Sequence, residues 1–194
     1  PNEPQRAWVG RLLDQCPAGG VVLDAPCGTG RYFELVTASD RRVVGIDQSA
    51  AMLDEARARG LATEILHLGL QEMSFVDEFD AAMTIDAMEN VAPEDWPVVL
   101  ANLRRSVRPG GHLYLTVEED HGADFEATHR ALIAKGVPAL IGEVVEGDVA
   151  SYHYYPTRDQ VLAWFTGADL VVVDEAYHAE DGWGYRHFLL RRPS

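Results

Sequence analysis

The chain has 194 residues, of which 47% are hydrophobic and 24% are charged, and these proportions exclude a disordered or fibrous protein. The length suits one domain with a substantial core and is too short for two domains of ordinary size. We therefore expect a single domain over residues 1–194. The formal charge of −15, without a cluster of basic and aromatic residues to offset it, disfavours nucleic acid as a partner.

The sequence also bears on the compartment of the protein. No apolar run is long enough to span a membrane, and residues 1–10 lack the basic and apolar regions of a secretion signal. The two cysteines, Cys16 and Cys27, are too few for a disulfide framework. We predict a cytoplasmic protein without membrane contact and leave its oligomeric state open.

Strand-like and helix-like patterns alternate along the chain, which is typical of a doubly wound α/β sheet. Strands are predicted at 21–23, 42–47, 63–68, 79–85, 112–117, 170–177 and 185–192. Helices are predicted at 4–15, directly after Gly30, and at 49–59, 93–108, 123–135 and 157–165.

The stretch 21–33 organises the rest of the chain. Its first three residues are aliphatic with no polar alternation, as in a central parallel strand that is buried on both faces. Asp24 ends the strand, and Pro26, Gly28 and Gly30 then force a turn with accessible backbone N–H groups. The following helix directs its N-terminus at whatever lies above this turn.

Two families of cofactor suit a glycine turn after a strand. A dinucleotide fingerprint needs a third glycine for close packing of the helix, and Phe33 stands in that region instead. An acidic residue at the strand end, Asp24, is poorly placed beside a pyrophosphate and well placed beside a cationic amine. These features disfavour a nicotinamide oxidoreductase, which we keep as the less favoured alternative.

The segments 24–30 and 45–49 resemble the first and second motifs of the class I S-adenosylmethionine-dependent methyltransferases. The resemblance extends over about the first 120 residues. It implies a Rossmann-like seven-stranded sheet whose last strand is antiparallel, and S-adenosyl-L-methionine as the cofactor. It also implies that Asp47 accepts hydrogen bonds from the ribose hydroxyls, a task that suits a carboxylate.

The resemblance and the sheet edge together predict a set of cofactor-binding residues. They are Asp24, Ala25, Gly28, Gly30, Tyr32, Asp47, Gln48, Met52, Leu70, Gln71, Asp86 and Ala87. The chain departs from the family at 69–71, where an acidic residue commonly faces the adenine; either the Gln71 amide oxygen or the Leu70 backbone could replace it. Met52 has a second interpretation, as a core residue on the inner face of its helix.

Residues 118–156 interrupt the alternation and are too long for an ordinary connection. They are predicted to form a helix and a hairpin that make the wall or the lid of a substrate pocket. The substrate-binding residues expected here and after the fourth strand are Glu89, Asn90, Tyr152, Tyr154 and Tyr155. Segment 86–90 lacks the Asn/Asp-Pro-Pro-aromatic motif of the branches that methylate nucleobases and amides.

His153 is the predicted catalytic base, because an imidazole titrates near neutrality and this one is flanked by aromatic residues in the insertion. His121 is the second candidate. Structural hydrogen bonding within the hairpin is the competing interpretation of His153. No metal site is predicted, because consecutive residues 118–121 alternate faces and cannot all converge.

These inferences lead to one expected function and two alternatives. We expect methyl transfer from S-adenosyl-L-methionine to a small organic molecule, at oxygen. A protein of this fold that binds the cofactor without transferring methyl, either cyclase-like or partner-binding, is the first alternative, and an NAD-dependent oxidoreductase is the second. Cys27 is open to two interpretations, as a nucleophile or as a small residue that fits the turn.

Overall fold

A computed structural model describes residues 3–146, 151–179 and 183–194. The strands are β1 (Val21–Asp24), β2 (Arg42–Asp47), β3 (Glu64–His67), β4 (Phe79–Thr84), β5 (Val107–Asp120), β6 (Glu143–Glu146), β7 (Ser151–Tyr154), β8 (Val171–Ala179) and β9 (Trp183–Arg191). The helices are α1 (Glu3–Asp14), α2 (Phe33–Thr37), α3 (Ala50–Ala58), α4 (Trp96–Ser106), α5 (Phe125–Ala134) and α6 (Arg158–Gly167). Two short 3₁₀ turns, Leu70–Glu72 and Met88–Asn90, follow β3 and β4.

Seven strands form one sheet in the order β3-β2-β1-β4-β5-β9-β8. Strands β1 to β5 pair in parallel, and β9 is antiparallel to both of its neighbours. The predicted fold class, a Rossmann-like seven-stranded sheet with an antiparallel last strand, is confirmed. The reversal of strand order beside β1 places the carboxyl ends of β1 and β4 at a crevice where ligands bind in such sheets.

Both faces of the sheet are covered, as the aliphatic β1 requires. Alternation along β1 sends Val22 to one core and Leu23 to the other. Helices α1, α2 and α3 cover the Val22 face, and α4 and α6 cover the Leu23 face, where Trp96 and Phe165 are fully buried. The sheet edge is therefore rigid on both sides of the crevice.

Two predicted helix starts are confirmed by their caps. The Ser49 hydroxyl accepts a hydrogen bond from the Met52 N–H at 3.4 Å at the start of α3. Thr157 and Gln160 form the reciprocal capping box that opens α6. Helix α4 begins at Trp96, later than predicted, because a turn in which the Asp95 N–H bonds to the Ala92 carbonyl precedes it.

Strand β5 is longer than predicted at both ends. Residues 109–111, expected only to end a helix, lie within β5. At its other end β5 continues to Asp120, because β9 pairs with it as far as Trp183. This extension carries Glu118 and Glu119 beyond the rest of the sheet on opposite faces of one strand. The placement of these two carboxylates separates two sites, as described below.

The insertion consists of α5 and a two-stranded antiparallel sheet, β6 and β7, with Val144 opposite His153. The helix and hairpin predicted there are confirmed, although the hairpin turn at 147–150 and Gly182 of the second predicted turn lie outside the described residues. Strand β7 packs against the 3₁₀ turn Met88–Asn90. In the ranges that the structure describes, no helix is long and apolar enough to cross a membrane.

Candidate active site

A trough runs along the carboxyl edge of β1, β2 and β4. It consists of two adjoining cavities of about 240 and 340 Å³ that share Pro26, Asp47, Gln48 and Asp86. The first also contacts Leu70, Gln71, Ala87 and Asn90, and the second contacts Gly28, Arg31, Tyr32 and Met52. The structure thus brings together nine of the residues that the sequence predicts to bind the cofactor.

Asp47 holds the floor of the trough in place. Its two carboxylate oxygens accept hydrogen bonds from the Gly28 N–H at 2.9 Å and the Ser49 N–H at 2.7 Å. The Cys27 N–H also donates to the Ile46 carbonyl at 2.7 Å, so the glycine turn after β1 is fastened to the end of β2. Each carboxylate oxygen keeps a lone pair for a further donor from above.

Gly28 has a φ of +52°, and a Cβ placed on it would meet no atom of the described chain within 4 Å. The turn therefore leaves open space directly above its backbone, which is the shape of a ligand cradle. At Gly30 a Cβ would lie 2.6 Å from the Phe33 ring. Phe33 occupies the space under the turn, which is its physical role in place of a third glycine.

Asp24 is buried at the end of β1, with 1% of its surface exposed. Burial first, and the nearby Asp47 charge second, raise the pKa of the Asp24 carboxyl well above its ordinary value. Its Oδ2 atom has no hydrogen-bond partner among the described residues. An unpartnered buried acceptor at this point favours a bound donor or an ordered water above it.

The structure corrects three of the predicted cofactor contacts. Asp24, Ala25 and Gly30 are buried beneath the trough and do not line it, because the turn folds back over the strand end. They shape its floor from below. Met52 lines the trough, as its prediction as a cofactor-binding residue requires, and its 45% exposure excludes the second interpretation as a core residue.

The far end of the trough is formed by the segment after β3. Buried Asn102 of α4 donates hydrogen bonds of 3.0 Å to the carbonyls of Leu70 and Gln71 and so fixes this segment. The Gln71 side-chain nitrogen donates to Asp95 at 3.3 Å, which directs the amide oxygen away from Asp95. The amide can therefore present an acceptor where the family commonly has a carboxylate.

Tyr32 lines the near end of the trough while most of its side chain is buried. Its hydroxyl donates to the Gln5 side-chain oxygen at 2.7 Å, so α1 holds the ring against the glycine turn. Burial raises the pKa of Tyr32 above its ordinary value. This tyrosine is thus a wall of the trough and not a proton carrier.

Asp86, which both cavities share, lies close enough to two further acids for their charges to act on one another, and we call Asp86, Glu89 and Glu118 the carboxylate cluster. The Asp86 side chain accepts a hydrogen bond from the Tyr185 hydroxyl, and its other oxygen lies 3.9 Å from the Arg31 guanidinium. Burial and the charge of Asp86 raise the pKa of Glu118 and oppose the lowering effect of the His153 charge.

Glu89 is the most buried acid of the cluster. Its Oε1 atom accepts from the Asn90 side chain at 3.1 Å, and its Oε2 atom has no partner among the described residues. Burial foremost, together with the charges of Asp86 and Glu118, raises the pKa of Glu89 to about 8, against the lowering effect of the Glu89 and Ala87 backbone N–H groups on the carboxyl. It can therefore exchange a proton near neutral pH.

The two predicted catalytic histidines lie at different places. His153 of β7 is close enough to the cluster for its charge to act on Glu118, and its Nδ1 atom lies 3.1 Å from the Tyr155 hydroxyl. His121 lies on the other side of β5, 3.4 Å from Glu119 and edge-on to Tyr177. The alternation along β5 therefore takes His121 away from the carboxylate cluster, which disfavours its prediction as the second candidate for the catalytic base.

The predicted substrate residues are also divided. Tyr154 is 1% exposed and packs beside Trp164 in the core, so its prediction as a substrate contact is wrong. Tyr152 is half-buried and donates to Glu143 at 2.8 Å across the hairpin. Tyr155 stacks on Phe125 with ring centroids 5.3 Å apart. Tyr152 and Tyr154 share one face of β7 and pack on the same core, whereas Tyr155 follows the strand and lies outside that core.

A further cavity of about 460 Å³ lies between the end of β5, the insertion and α6. Phe125, Ile141, Tyr155 and Pro156 supply its apolar lining, and His121 stands at its edge. Arg186 joins Glu119 and Glu175 beside it, at 2.5 and 2.9 Å. Its charged groups are thus already paired, unlike those of the carboxylate cluster.

Two other chemistries receive no support here. Burial foremost raises the pKa of the Cys27 thiol to about 12, which keeps it protonated and unreactive at neutral pH. In the ranges that the structure describes, no three His, Cys, Asp or Glu side chains group as metal ligands. Cys27 packs against Gly45, where a Cβ would lie 2.9 Å from its sulfur, so its small size suits the turn.

Sequence reasoning missed four residues of this site: Arg31, Asn102, Glu118 as part of the carboxylate cluster, and Tyr185. Tyr185 and Asp86 are 99 residues apart, so no local pattern links them. Glu118 carried a signal, because it follows the fifth strand at the ligand edge. Arg31 and Asn102 had no such signal.

Comparison with known proteins finds relatives of this sequence and architecture. Residues 22–111 match the family model described as a methyltransferase domain. A demethylmenaquinone methyltransferase of Tropheryma whipplei (strain Twist) is 31% identical over 161 residues, which are 81% of this chain and 65% of that protein. The chain thus spans somewhat less than two thirds of this relative.

Two solved structures share the fold. One is the 1,6-didemethyltoxoflavin-N1-methyltransferase of Burkholderia thailandensis with bound S-adenosylhomocysteine, at a TM-score of 0.74 and 18% identity over 99% of this chain and 78% of that one. The other is the [4+2]-cyclase SpnF, at a TM-score of 0.73 and 16% identity over 97% of this chain and 81% of that one. Fold, trough and the match over residues 22–111 agree with a methyltransferase domain. The chain is similar to S-adenosylmethionine-dependent methyltransferases in sequence over this region and in fold.

S-adenosyl-L-methionine is the cofactor that this similarity to methyltransferases implies, and the residues present fit it. Gly28 leaves the turn open above its backbone, and Asp47 keeps acceptor capacity beside it. The unpartnered Asp24 Oδ2 atom suits a cationic amine, directly or through a water molecule. Two adjoining cavities give the elongated space that a nucleoside with an amino-acid tail requires.

Proposed function

We propose that this chain transfers a methyl group from S-adenosyl-L-methionine to an oxygen atom of a small organic molecule. One observation carries the proposal: Asp86, which both cavities of the trough share, belongs to the carboxylate cluster, and strand β7 of the insertion packs on the turn that follows it. A methyl donor bound along the trough and an acceptor bound below the insertion therefore face each other. In-line transfer needs little more than this positioning.

The residues of the trough have distinct tasks in this proposal. Asp47 accepts from the ribose hydroxyls and also holds the Gly28 N–H in place. The Gln71 amide oxygen accepts from the adenine amino group, and Leu70 packs against the ring. When bound, the cofactor supplies a methyl group on a positively charged sulfur. Asp86 stands where its negative charge favours that sulfonium.

The insertion, residues 118–156, acts as the lid of the acceptor site. Strand β7 packs on the turn Met88–Asn90, and this contact covers Glu89. An acceptor must displace that contact to enter, and closure over it excludes water. His153 and Tyr155 then lie at the inner edge of the lid, where they position the acceptor.

The charge of the protein supports a small acceptor over a nucleic acid. A net charge of −15 repels a phosphate backbone at every approach. Arg31 at the mouth of the site is close to Asp86 and so is partly neutralised. Both cysteines are free and buried, which suits a reducing cytoplasm.

The proposal is tested by following a labelled methyl group. The protein is incubated with S-adenosyl-L-methionine labelled in the methyl carbon and with a cell extract divided into small-molecule, RNA and protein fractions. We expect label to enter the small-molecule fraction in a form that resists base hydrolysis, as an ether does. Label that enters RNA, or a cofactor that binds and is never consumed, would contradict the proposal and support a nucleic-acid enzyme or the alternative that transfers no methyl.

A further inference from the structure

We propose that Glu89 is the catalytic residue that takes the proton of the acceptor, and that this acceptor is an uncharged hydroxyl on a planar ring and not a carboxylate. The inference deepens the proposed function and rests on it. It assigns a base and an acceptor class that the family does not specify.

The first argument is the unpartnered oxygen of Glu89. The side chain is 95% buried, and its Oε2 atom has no hydrogen-bond partner among the described residues, although Oε1 is held by Asn90 at 3.1 Å. A buried polar atom without a partner is unfavourable and rare in proteins. A ligand hydroxyl that donates to Oε2 of ionised Glu89 when the lid admits it removes that cost, whereas a carboxylate ligand has no proton to donate to ionised Glu89 and meets a like charge there.

The second argument is the charge around Glu89. Asp86 lies after β4, and Glu118 lies on β5; both act on Glu89 as negative charges. The nearby cations are engaged elsewhere, since Arg31 faces Asp86 and His153 of β7 faces Glu118. An anionic acceptor would therefore compete with Asp86 and Glu118 for these two cations in a site of low dielectric, which disfavours it.

The third argument is the shape of the facing strand. Tyr185 pairs with Glu118 and Trp183 pairs with Asp120 across β5 and β9, so both rings lie on the Glu118 side of the sheet. Their centroids are 5.6 Å apart with the planes nearly perpendicular. Two perpendicular rings form a corner that a flat ring can pack into. A conjugated ring also makes its hydroxyl acidic enough to lose a proton to a carboxylate.

The proton and electron balance of the step is complete without another reagent. The acceptor oxygen forms a bond to the methyl carbon as that carbon's bond to sulfur breaks, and the bonding pair stays on sulfur. The hydroxyl proton moves to Oε2 of Glu89, which must be ionised beforehand. With a pKa of about 8, about a tenth of Glu89 is ionised at pH 7 and about half at pH 8.

The test uses the full chain loaded with S-adenosylhomocysteine and with ¹³C-labelled glutamate carboxyl groups. The probes are phenol, anisole, which lacks the hydroxyl, and benzoate, which is a carboxylate. Glu89→Gln identifies the Glu89 resonance by its disappearance. Glu94→Gln, which removes an exposed acid from the same connection, is the matched control.

We expect one resonance, present in the parent and in Glu94→Gln, that titrates near pH 8 and shifts with phenol but not with anisole or benzoate. Phenol should bind Glu89→Gln at least tenfold more weakly, through the lost hydrogen bond to an ionised group. Titration of all glutamate carboxyl groups below pH 6, or equal shifts of the Glu89 resonance with phenol and anisole, would overturn this inference and leave the proposed function standing. Failure of S-adenosylhomocysteine to bind would instead overturn the proposed function.

Discussion

Replacement of Asp47 by alanine tests the trough most sharply, because its carboxylate has two tasks. It accepts hydrogen bonds from the Gly28 and Ser49 N–H groups at 2.9 and 2.7 Å, and the ribose hydroxyls are its proposed ligands. Losing two charge-assisted bonds to the ligand weakens S-adenosylhomocysteine binding by about 2–4 kcal/mol, or about 30- to 1000-fold. Losing the backbone bonds lowers the melting temperature by about 4–12 °C.

Calorimetric titration and thermal unfolding separate these two effects. Asp54→Ala, which removes an exposed acid from the next helix, is the matched control and should change neither quantity. Asp47→Asn should weaken binding less than Asp47→Ala, because its amide still has an acceptor oxygen. If Asp47→Ala unfolds at a lower temperature yet binds S-adenosylhomocysteine within twofold of the parent, Asp47 only holds the turn and the ribose assignment is wrong.

The remaining predictions concern the lid, the histidines, the turn and the pH dependence. Amide exchange in residues 118–155 should slow when cofactor and acceptor are both present, and unchanged exchange would identify a fixed wall. Once an acceptor is known, His153→Gln should raise KM, whereas His121→Gln should leave kcat and KM near the parent values. A large fall in kcat for His121→Gln would contradict the position of His121 away from the carboxylate cluster. Gly30→Ala should destabilise the fold by about 2 kcal/mol or more, because the position has a φ of +73° and a Cβ would strike a ring; parent-like unfolding would refute this packing. The pKa of Glu89 is about 8 in the folded state and about 4.5 in the unfolded state, so the free energy of unfolding of the parent should fall as the pH rises from 4.5 to 8. Glu89→Gln should reduce that fall. Equal pH profiles for the two proteins would contradict the raised pKa.

The fold could be predicted because its determinants are local. The aliphatic β1, the glycine turn and the acidic end of β2 each lie within a few residues, and they fix the centre of the sheet. The length of β5 could not be predicted, since the pairing of Asp120 with Trp183 is set by a strand far along the chain. The same long-range pairing decides which face receives Glu118 and which receives Glu119.

The residues of the site could be predicted where they directly follow a strand. They were harder to predict where burial decides whether a side chain reaches the trough. Gly28, Asp47 and Asp86 line the trough as expected from the sheet edge. Asp24 lies beneath it and Tyr154 lies in the core, because one more residue along a strand reverses the direction of a side chain. The unpartnered Glu89 oxygen depends on packing against β7, which no sequence pattern reveals.

Calorimetric titration of the unmodified chain with S-adenosyl-L-methionine and, separately, with NAD tests the central claim most directly. Phe33 lies under the glycine turn in place of a third glycine, and Asp24 puts an acidic group beneath the trough, which disfavours a pyrophosphate above it. We therefore predict saturable binding of one S-adenosyl-L-methionine per chain and no binding of NAD at the same concentration. Binding of NAD in preference to S-adenosyl-L-methionine would contradict the account.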